Sequence, residues 1–239
     1  MIHVEDRGGV VLVTIDRQER RNAVDREALE GIAAAVGAAD CRALVLTGAG
    51  GHFCAGADLT TLEDERFADV LRTALVALRD APFATIAAVD GAALGAGTQL
   101  AVACDLRVAT PAARFGIPAA KLGLMVDAWT VQRLSLAAGP GLARAMLLAA
   151  ETVNGEEALR AGLVHRVGGL DDALAWADDV AALAPLTVAG HKLALNRLEP
   201  AVGDDPEVAA AFRRAWASAD LREGRAAFAE RRSPTFRGA

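Results

Sequence analysis

Strand-like and helix-like stretches alternate along the first half of this chain, and that alternation limits its fold more than any other feature. Val10-Val11-Leu12-Val13-Thr14-Ile15 is a β-branched run that predicts a strand. Ala43-Leu44-Val45-Leu46-Thr47, Thr85-Ile86-Ala87-Ala88-Val89 and the segment Asp105–Ala109 predict three more. After the first run, Asp25 is placed to cap a helix through about Gly37. After the second, Phe67, Val70, Leu71, Ala74, Leu75 and Leu78 fall on one face of a helix that Pro82 ends. After the third, a glycine-rich turn leads into a helix near Gly97–Ala103. The pattern recurs roughly every 40 residues without a residue-level repeat. It implies an α/β fold, with helices covering a parallel sheet.

From Ala128 onward the pattern is almost wholly helical, with one short strand expected near Leu163–Val167. Pro185 follows a helix expected to end near Leu183. Val208, Phe212, Trp216 and Ala219 again sit at helical spacing. No flexible linker is visible. The length of 239 residues suits one α/β core domain (1–187) with a helical C-terminal region (188–239) that packs on something.

Several function classes are disfavoured. With 25 basic and 31 acidic residues the net charge is −6, and there is no Tyr, so the basic field and much of the aromatic stacking of a nucleic-acid binder are missing. The most apolar stretch, Gly91–Cys104, lies between Asp90 and Asp105, contains Thr98 and Gln99, and falls short of the roughly 18 residues a membrane span needs. Met1–Arg7 carries acid where a secretory signal needs base, so a cytoplasmic location is expected. Cys41, Cys54 and Cys104 are widely spaced and odd in number, which suggests buried reduced thiols. None of the three serines sits in G-x-S-x-G. Gly95-Ala96-Gly97 lacks the third glycine of a dinucleotide fingerprint. His3, His52, His165 and His191 do not pair at ligand spacing, so no metal is expected.

Two loops remain as candidates for chemistry. Gly51–Leu59 follows the second strand, and Asp90–Leu100 follows the third and opens a helix. Each puts small residues at the carboxyl end of a strand, where α/β sheets take ligands and where a ligand can approach backbone N–H groups. Adjacent loops of this kind can aim two N–H groups at one oxygen; they can also be no more than tight turns.

The residues of these loops carry a resemblance. His52-Phe53-Cys54-Ala55-Gly56-Ala57-Asp58-Leu59, Gly91-x-x-x-Gly95-Ala96-Gly97 and Leu100-Ala101-Val102-Ala103-Cys104-Asp105 resemble the crotonase superfamily, the enoyl-CoA hydratase/isomerase family. So do Arg20-Arg21-Asn22-Ala23, Phe115-Gly116-x-Pro118, Gln132-Arg133-Leu134, Ala161-Gly162-Leu163-Val164 and Glu223-Gly224-x-x-Ala227-Phe228-x-Glu230-Arg231-Arg232, in the family's order along nearly the whole chain. The resemblance implies a spiral of ββα repeats with a helical C-terminal oligomerisation region, forming trimers or hexamers. It implies an acyl-CoA partner and no separate cofactor, with the N–H groups of Ala57 and Ala96 polarising the thioester carbonyl. Ala55 and Ala57 would face the adenine, Arg20 would border the CoA, and Phe212 and Arg231 would reach a neighbouring subunit's CoA. Arg20 and Arg231 suit phosphates, though both also read as solvated surface arginines.

The departures from the family bear on the reaction. Its hydratases use two glutamates, and this chain has Gln99 and Ala119 at those positions. Neither can shuttle a proton, so two-acid hydration is not expected. Thr60 replaces a frequent CoA-contacting Lys. Asp127 aligns with an acid used by some branches of the family, and it also reads as the N-cap of a following helix. The expected function is acyl-CoA binding in fatty-acid metabolism, with Asp127 as a single proton carrier for isomerisation, or binding and delivery without turnover.

Overall fold

The computed structural model describes residues 1–61, 66–199 and 205–239. The chain begins with strands β1 (Ile2–Asp6) and β2 (Val10–Ile15), helix α1 (Arg26–Ala38) and strand β3 (Ala43–Gly48). Helix α2 (Arg66–Asp80), strands β4 (Ala84–Val89) and β5 (Ala92–Leu94), helix α3 (Ala96–Ala103) and strands β6 (Leu106–Ala109) and β7 (Arg114–Gly116) follow. Next come α4 (Ala128–Leu148), β8 (Thr152–Asn154), α5 (Gly155–Arg160), β9 (Arg166–Val167) and α6 (Leu170–Ala181). The last three helices are α7 (Pro185–Leu198), α8 (Pro206–Ala217) and α9 (Ala219–Glu230).

The main sheet has six strands in the order β1-β2-β3-β4-β6-β9. All neighbours run parallel except the edge pair β1–β2. Alternate residues of a strand point to opposite faces, and here both faces are covered. Val11, Val13, Ile15, Leu44 and Leu46 belong to a core shared with α1, α2 and α3. Val10, Leu12, Ala43, Val45, Ile86 and Val108 belong to a second core with Ala173 and Ala177 of α6. Continuous β-branched runs are what such doubly buried parallel strands require.

The expected helices and strands are present within a residue or two. The Asp25 carboxylate caps α1 by accepting from the Ala28 N–H at 2.9 Å. The short strand expected over Leu163–Val167 is confined to β9. Val208, Phe212, Trp216 and Ala219 do not share one helix. Ser218 adopts an extended conformation (ψ 157°), ends α8 and caps α9 through its hydroxyl. The boundary between residues 187 and 188 lies inside α7. Cys54 and Cys104 are buried, and burial pushes both thiols up to about 12; Cys41 is only half-buried. Among the described residues, no single helix is long and apolar enough to cross a membrane, although the bent pair α6–α7 meets that test by length and composition.

A second, three-stranded sheet in the order β5-β7-β8 stands beside the first. It supports the start of α3, and so the candidate site.

Candidate functional site

The two small-residue loops are laced together by backbone hydrogen bonds. The Phe53 N–H donates to Asp90 O at 2.8 Å, Cys54 N–H to Ala92 O at 2.8 Å, and Leu94 N–H to Cys54 O at 3.0 Å. Gly97 allows this approach: a Cβ there would lie 3.0 Å from the Cys54 carbonyl carbon and would overlap its oxygen. Thr98 fastens the other side. Its hydroxyl is 2.6 Å from Ala93 O and accepts from the Gly116 N–H at 3.1 Å.

Each candidate donor follows a glycine with positive φ: Gly56 (φ 122°) precedes Ala57, and Gly95 (φ 53°) precedes Ala96. Side-chain-bearing residues rarely adopt such backbone, and it sets the direction of the next N–H. The two glycines face one another, since a Cβ on Gly95 would lie 3.8 Å from the Gly56 Cα. Ala96 is the first residue of α3, where an N–H has no intrahelical acceptor and the helix dipole adds positive potential. Among the described residues, neither the Ala57 nor the Ala96 N–H donates to a protein acceptor. Both residues line a cavity of about 760 Å³.

The same cavity is lined by every residue singled out from the sequence: Arg20, Ala55, Ala57, Ala96, Gln99, Ala119, Asp127, Phe212 and Arg231. The segment around Arg20 is shaped by Asn22, whose part no sequence pattern announces. Asn22 is fully buried, and its amide donates to Ala49 O at 2.7 Å and His52 O at 2.6 Å while its oxygen accepts from the Arg17 N–H at 2.9 Å. Ala55 N–H then donates to Arg21 O at 3.0 Å. Asp58 is committed to this scaffold. Burial raises its carboxyl, but bonds from Thr60 and Arg17 outweigh that and hold it below the ordinary carboxylate range. Thr60, in place of the expected Lys, spends its hydroxyl on Asp58 at 2.6 Å.

The C-terminal helices close over this chain's own cavity. The resemblance implied that Phe212 and Arg231 reach a neighbour's CoA; in the structure both line the cavity of their own chain. The Trp216 indole N–H donates to Met125 O at 2.9 Å, and Gly224 of α9 packs directly on Leu122. Sequence periodicity marked Trp216 as a helix-face residue but carried no signal of that bond.

Asp127 is the N-cap suggested by its sequence, and it also faces the cavity. Its Oδ1 accepts from the Thr130 N–H at 2.9 Å and caps α4, while the residue also lines the cavity. The Thr130 hydroxyl donates to Gln99 Oε1 at 2.8 Å, so Gln99 and Asp127 belong to one polar cluster. Arg72, which the sequence gave no reason to single out, joins it. Its guanidinium lies 3.9 Å from Asp127 Oδ2, beyond hydrogen-bond range, and 4.3 Å from the centre of the Trp129 ring. Burial pushes this guanidinium below its ordinary pKa, with Asp127 opposing. Leu124 and Met125 line the cavity, and Trp129 is buried behind Arg72. No group of three or more acidic, His or Cys side chains fit to hold a metal occurs among the described residues.

Comparison with known proteins places this arrangement in a family. The enoyl-CoA hydratase/isomerase family model matches residues 5–239. The chain is 42% identical over 249 residues to a protein of Mycobacterium tuberculosis named probable enoyl-CoA hydratase echA6, covering all of both chains. It is 35% identical to the 2,3-dehydroadipyl-CoA hydratase of Escherichia coli K12, over 96% of this chain and 95% of that one. A solved enoyl-CoA hydratase/isomerase from Pseudoalteromonas atlantica superposes with a TM-score of 0.84 at 33% identity, covering 99% of each chain. Methylmalonyl-CoA decarboxylase shares the fold, with a TM-score of 0.91 at 22% identity over 100% of this chain and 98% of that one. The laced loops, the α/β body and these matches along the full chain make it a crotonase-fold member of the enoyl-CoA hydratase/isomerase family.

Proposed function

We propose that this chain binds an acyl-CoA thioester and holds its carbonyl oxygen on the N–H groups of Ala57 and Ala96. One observation carries the reading: two N–H groups without acceptors among the described residues, each following a positive-φ glycine, lie on laced loops that line one cavity. Such a pair stabilises an enolate oxygen, and each donor is worth about 3–4 kcal/mol in the transition state. Arg20, Ala55, Phe212 and Arg231 would meet the CoA portion, and no cofactor beyond the thioester's own CoA is required.

The reaction class is the transfer of one proton by Asp127, as in moving a double bond within an enoyl-CoA. Gln99 and Ala119 cannot activate water; of the other cavity-lining acids, Asp58 is bound to Arg17 and Thr60, and Glu19 lies beside Arg20 in the stretch proposed to border the CoA. The test follows the spectra of 2-enoyl-, 3-enoyl- and dienoyl-CoA thioesters with the wild type and Asp127→Asn. Wild-type isomerisation lost in the variant supports the reading, and unchanged turnover in the variant removes Asp127 from it.

A second reading is favoured by the way the cluster is tied down. Gln99 Oε1 accepts from Thr130, and Asp127 Oδ1 is spent on the cap of α4. The protein would then hold and deliver acyl-CoA in the cytoplasm without turning it over. Calorimetry with a long-chain saturated acyl-CoA separates the outcomes. Binding without any turnover selects this reading, and no binding at micromolar ligand ends it. A homotrimer or hexamer is part of the proposal: α7 exposes Leu186, Leu193, Leu195 and Leu198, an apolar surface that self-association would cover. Sedimentation of a monomer at micromolar concentration would refute it.

A further inference from the structure

Arg72 is a cation placed in the apolar part of the cavity, and among the described residues its Nη1 has no hydrogen-bond acceptor. It lies on α2 between Leu71 and Leu75, which line the cavity with Phe67, Leu124 and Val126. That Nη1 is buried, and among the described residues the Nε1 of the Trp129 ring on which the guanidinium stacks is likewise buried without a hydrogen bond. Asp127 Oδ2, at 3.9 Å, balances part of the charge but takes none of its donors. A buried donor without a partner is costly, and more so on a charged group. A plain hydrocarbon chain filling this space would displace water from the guanidinium and offer nothing in exchange.

The position of Arg72 also fits the acyl part of a ligand rather than the CoA part. The cluster Arg72–Asp127–Thr130 ends on Gln99, and Gln99 is one turn into α3 from Ala96, the proposed thioester site. We propose that Arg72 selects the substrate class: the cavity takes short acyl-CoA thioesters whose acyl chain ends in a carboxylate. The guanidinium fork matches a carboxylate in two parallel hydrogen bonds, and Phe67, Leu71 and Leu75 contact the methylenes between the carboxylate and the thioester. This inference rests on the acyl-CoA reading above.

The experiment measures binding of adipyl-CoA against hexanoyl-CoA, and glutaryl-CoA against pentanoyl-CoA, by calorimetry. The wild type, Arg72→Met and Arg72→Gln are compared, each checked for an unchanged unfolding curve. The expected result is at least about a tenfold wild-type preference for the carboxylated member of a pair, as one charged hydrogen bond supplies. That preference disappears in both variants while hexanoyl- and pentanoyl-CoA still bind. Equal wild-type affinity within both pairs overturns the role of Arg72 and leaves the acyl-CoA reading standing. A preference that survives in either folded variant overturns it as well. Binding of none of the four thioesters overturns the acyl-CoA reading and this inference with it.

Discussion

The lacing of the two loops can be tested by adding one methyl group at two glycines. At Gly97 a Cβ would lie 3.0 Å from the Cys54 carbonyl carbon, 3.1 Å from the Cys54 Cβ, and within the radius of the Cys54 oxygen. These are mostly backbone atoms in a fully buried contact, so α3 and the Cys54 loop must move apart. Overpacking of this kind costs about 1–3 kcal/mol. For a chain of this size, that lowers the Tm by roughly 2–12 °C. The same movement separates the Ala96 N–H from the Ala57 N–H, and loss of one donor would cost about 10²–10³ in any enolate-forming turnover. Gly37 is the control. It lies in the last turn of α1, exposed, with nothing within 4 Å of a Cβ. Gly37→Ala should therefore stabilise the protein by about 0.5 kcal/mol through helix propensity. Urea unfolding and acyl-CoA calorimetry on both variants measure the contrast. If Gly97→Ala unfolds within about 0.5 kcal/mol of the wild type and binds ligand equally well, the loop and helix are not in the contact described here, and the account of the donor pair fails.

Two further outcomes concern Lys192 and His165. Lys192 is buried, donates to Leu78 O at 3.1 Å and Phe83 O at 2.9 Å, and pairs with Asp105 Oδ2 at 2.7 Å. Lys192→Met leaves Asp105 without its cation and should cost about 3–5 kcal/mol in urea unfolding; a loss under about 1 kcal/mol would show the pair to be dispensable. His165 Nδ1 accepts from the Arg107 N–H at 3.1 Å, and desolvation, followed by the Arg107 charge, holds its pKa down to about 4 against an ordinary 6.5. The unfolded chain then takes up the proton first, so stability should fall as pH drops from about 6.5 towards 4. The ring keeps an exposed edge, so solvent limits the effect to about 1 kcal/mol or less. His165→Gln should flatten that part of the stability–pH curve, and an unchanged slope would show that other groups titrate there.

The elements that sequence periodicity revealed are those whose burial is strongly one-sided or complete. Val10–Ile15 and Ala84–Val89 are buried on both faces, and α2 buries Phe67, Leu71, Ala74, Leu75 and Leu78 on one. The elements it missed lack either pattern. β1 is an edge strand with four of its five residues exposed, so Ile2–Asp6 has no buried face to announce it. β5, β7 and β8 have three residues each, too few to express a period of two. The α8–α9 break was hidden because Ala219 continues the apolar spacing of Phe212 and Trp216 across Ser218, whose capping bond is invisible until Leu221 is in place. The donor loops were legible for the opposite reason: small residues concentrated at two strand ends are a local signal. Arg72 had no such signal. It sits one position from an apolar stripe, as solvated arginines commonly do, and what sets it apart is Asp127 and Trp129, brought across from another helix.

Asp127 shows where two readings of one residue cease to compete. A carboxylate has two oxygens, and here Oδ1 caps α4 while Oδ2 is turned to Arg72. The cap and the proposed chemistry would therefore draw on different atoms of the same side chain. This division makes Asp127→Asn a substitution that spares the cap. Asparagine is as good an N-cap as aspartate, so the bond from Thr130 and the start of α4 survive. The variant loses only the charge facing Arg72 and the capacity to carry a proton. A drop in isomerisation with an unchanged unfolding midpoint would then belong to the proton, whereas Asp127→Ala would mix it with a lost cap worth about 1 kcal/mol. A matching loss of stability and activity in the asparagine variant would refute this separation, and with it the view that the cap leaves Oδ2 free to act.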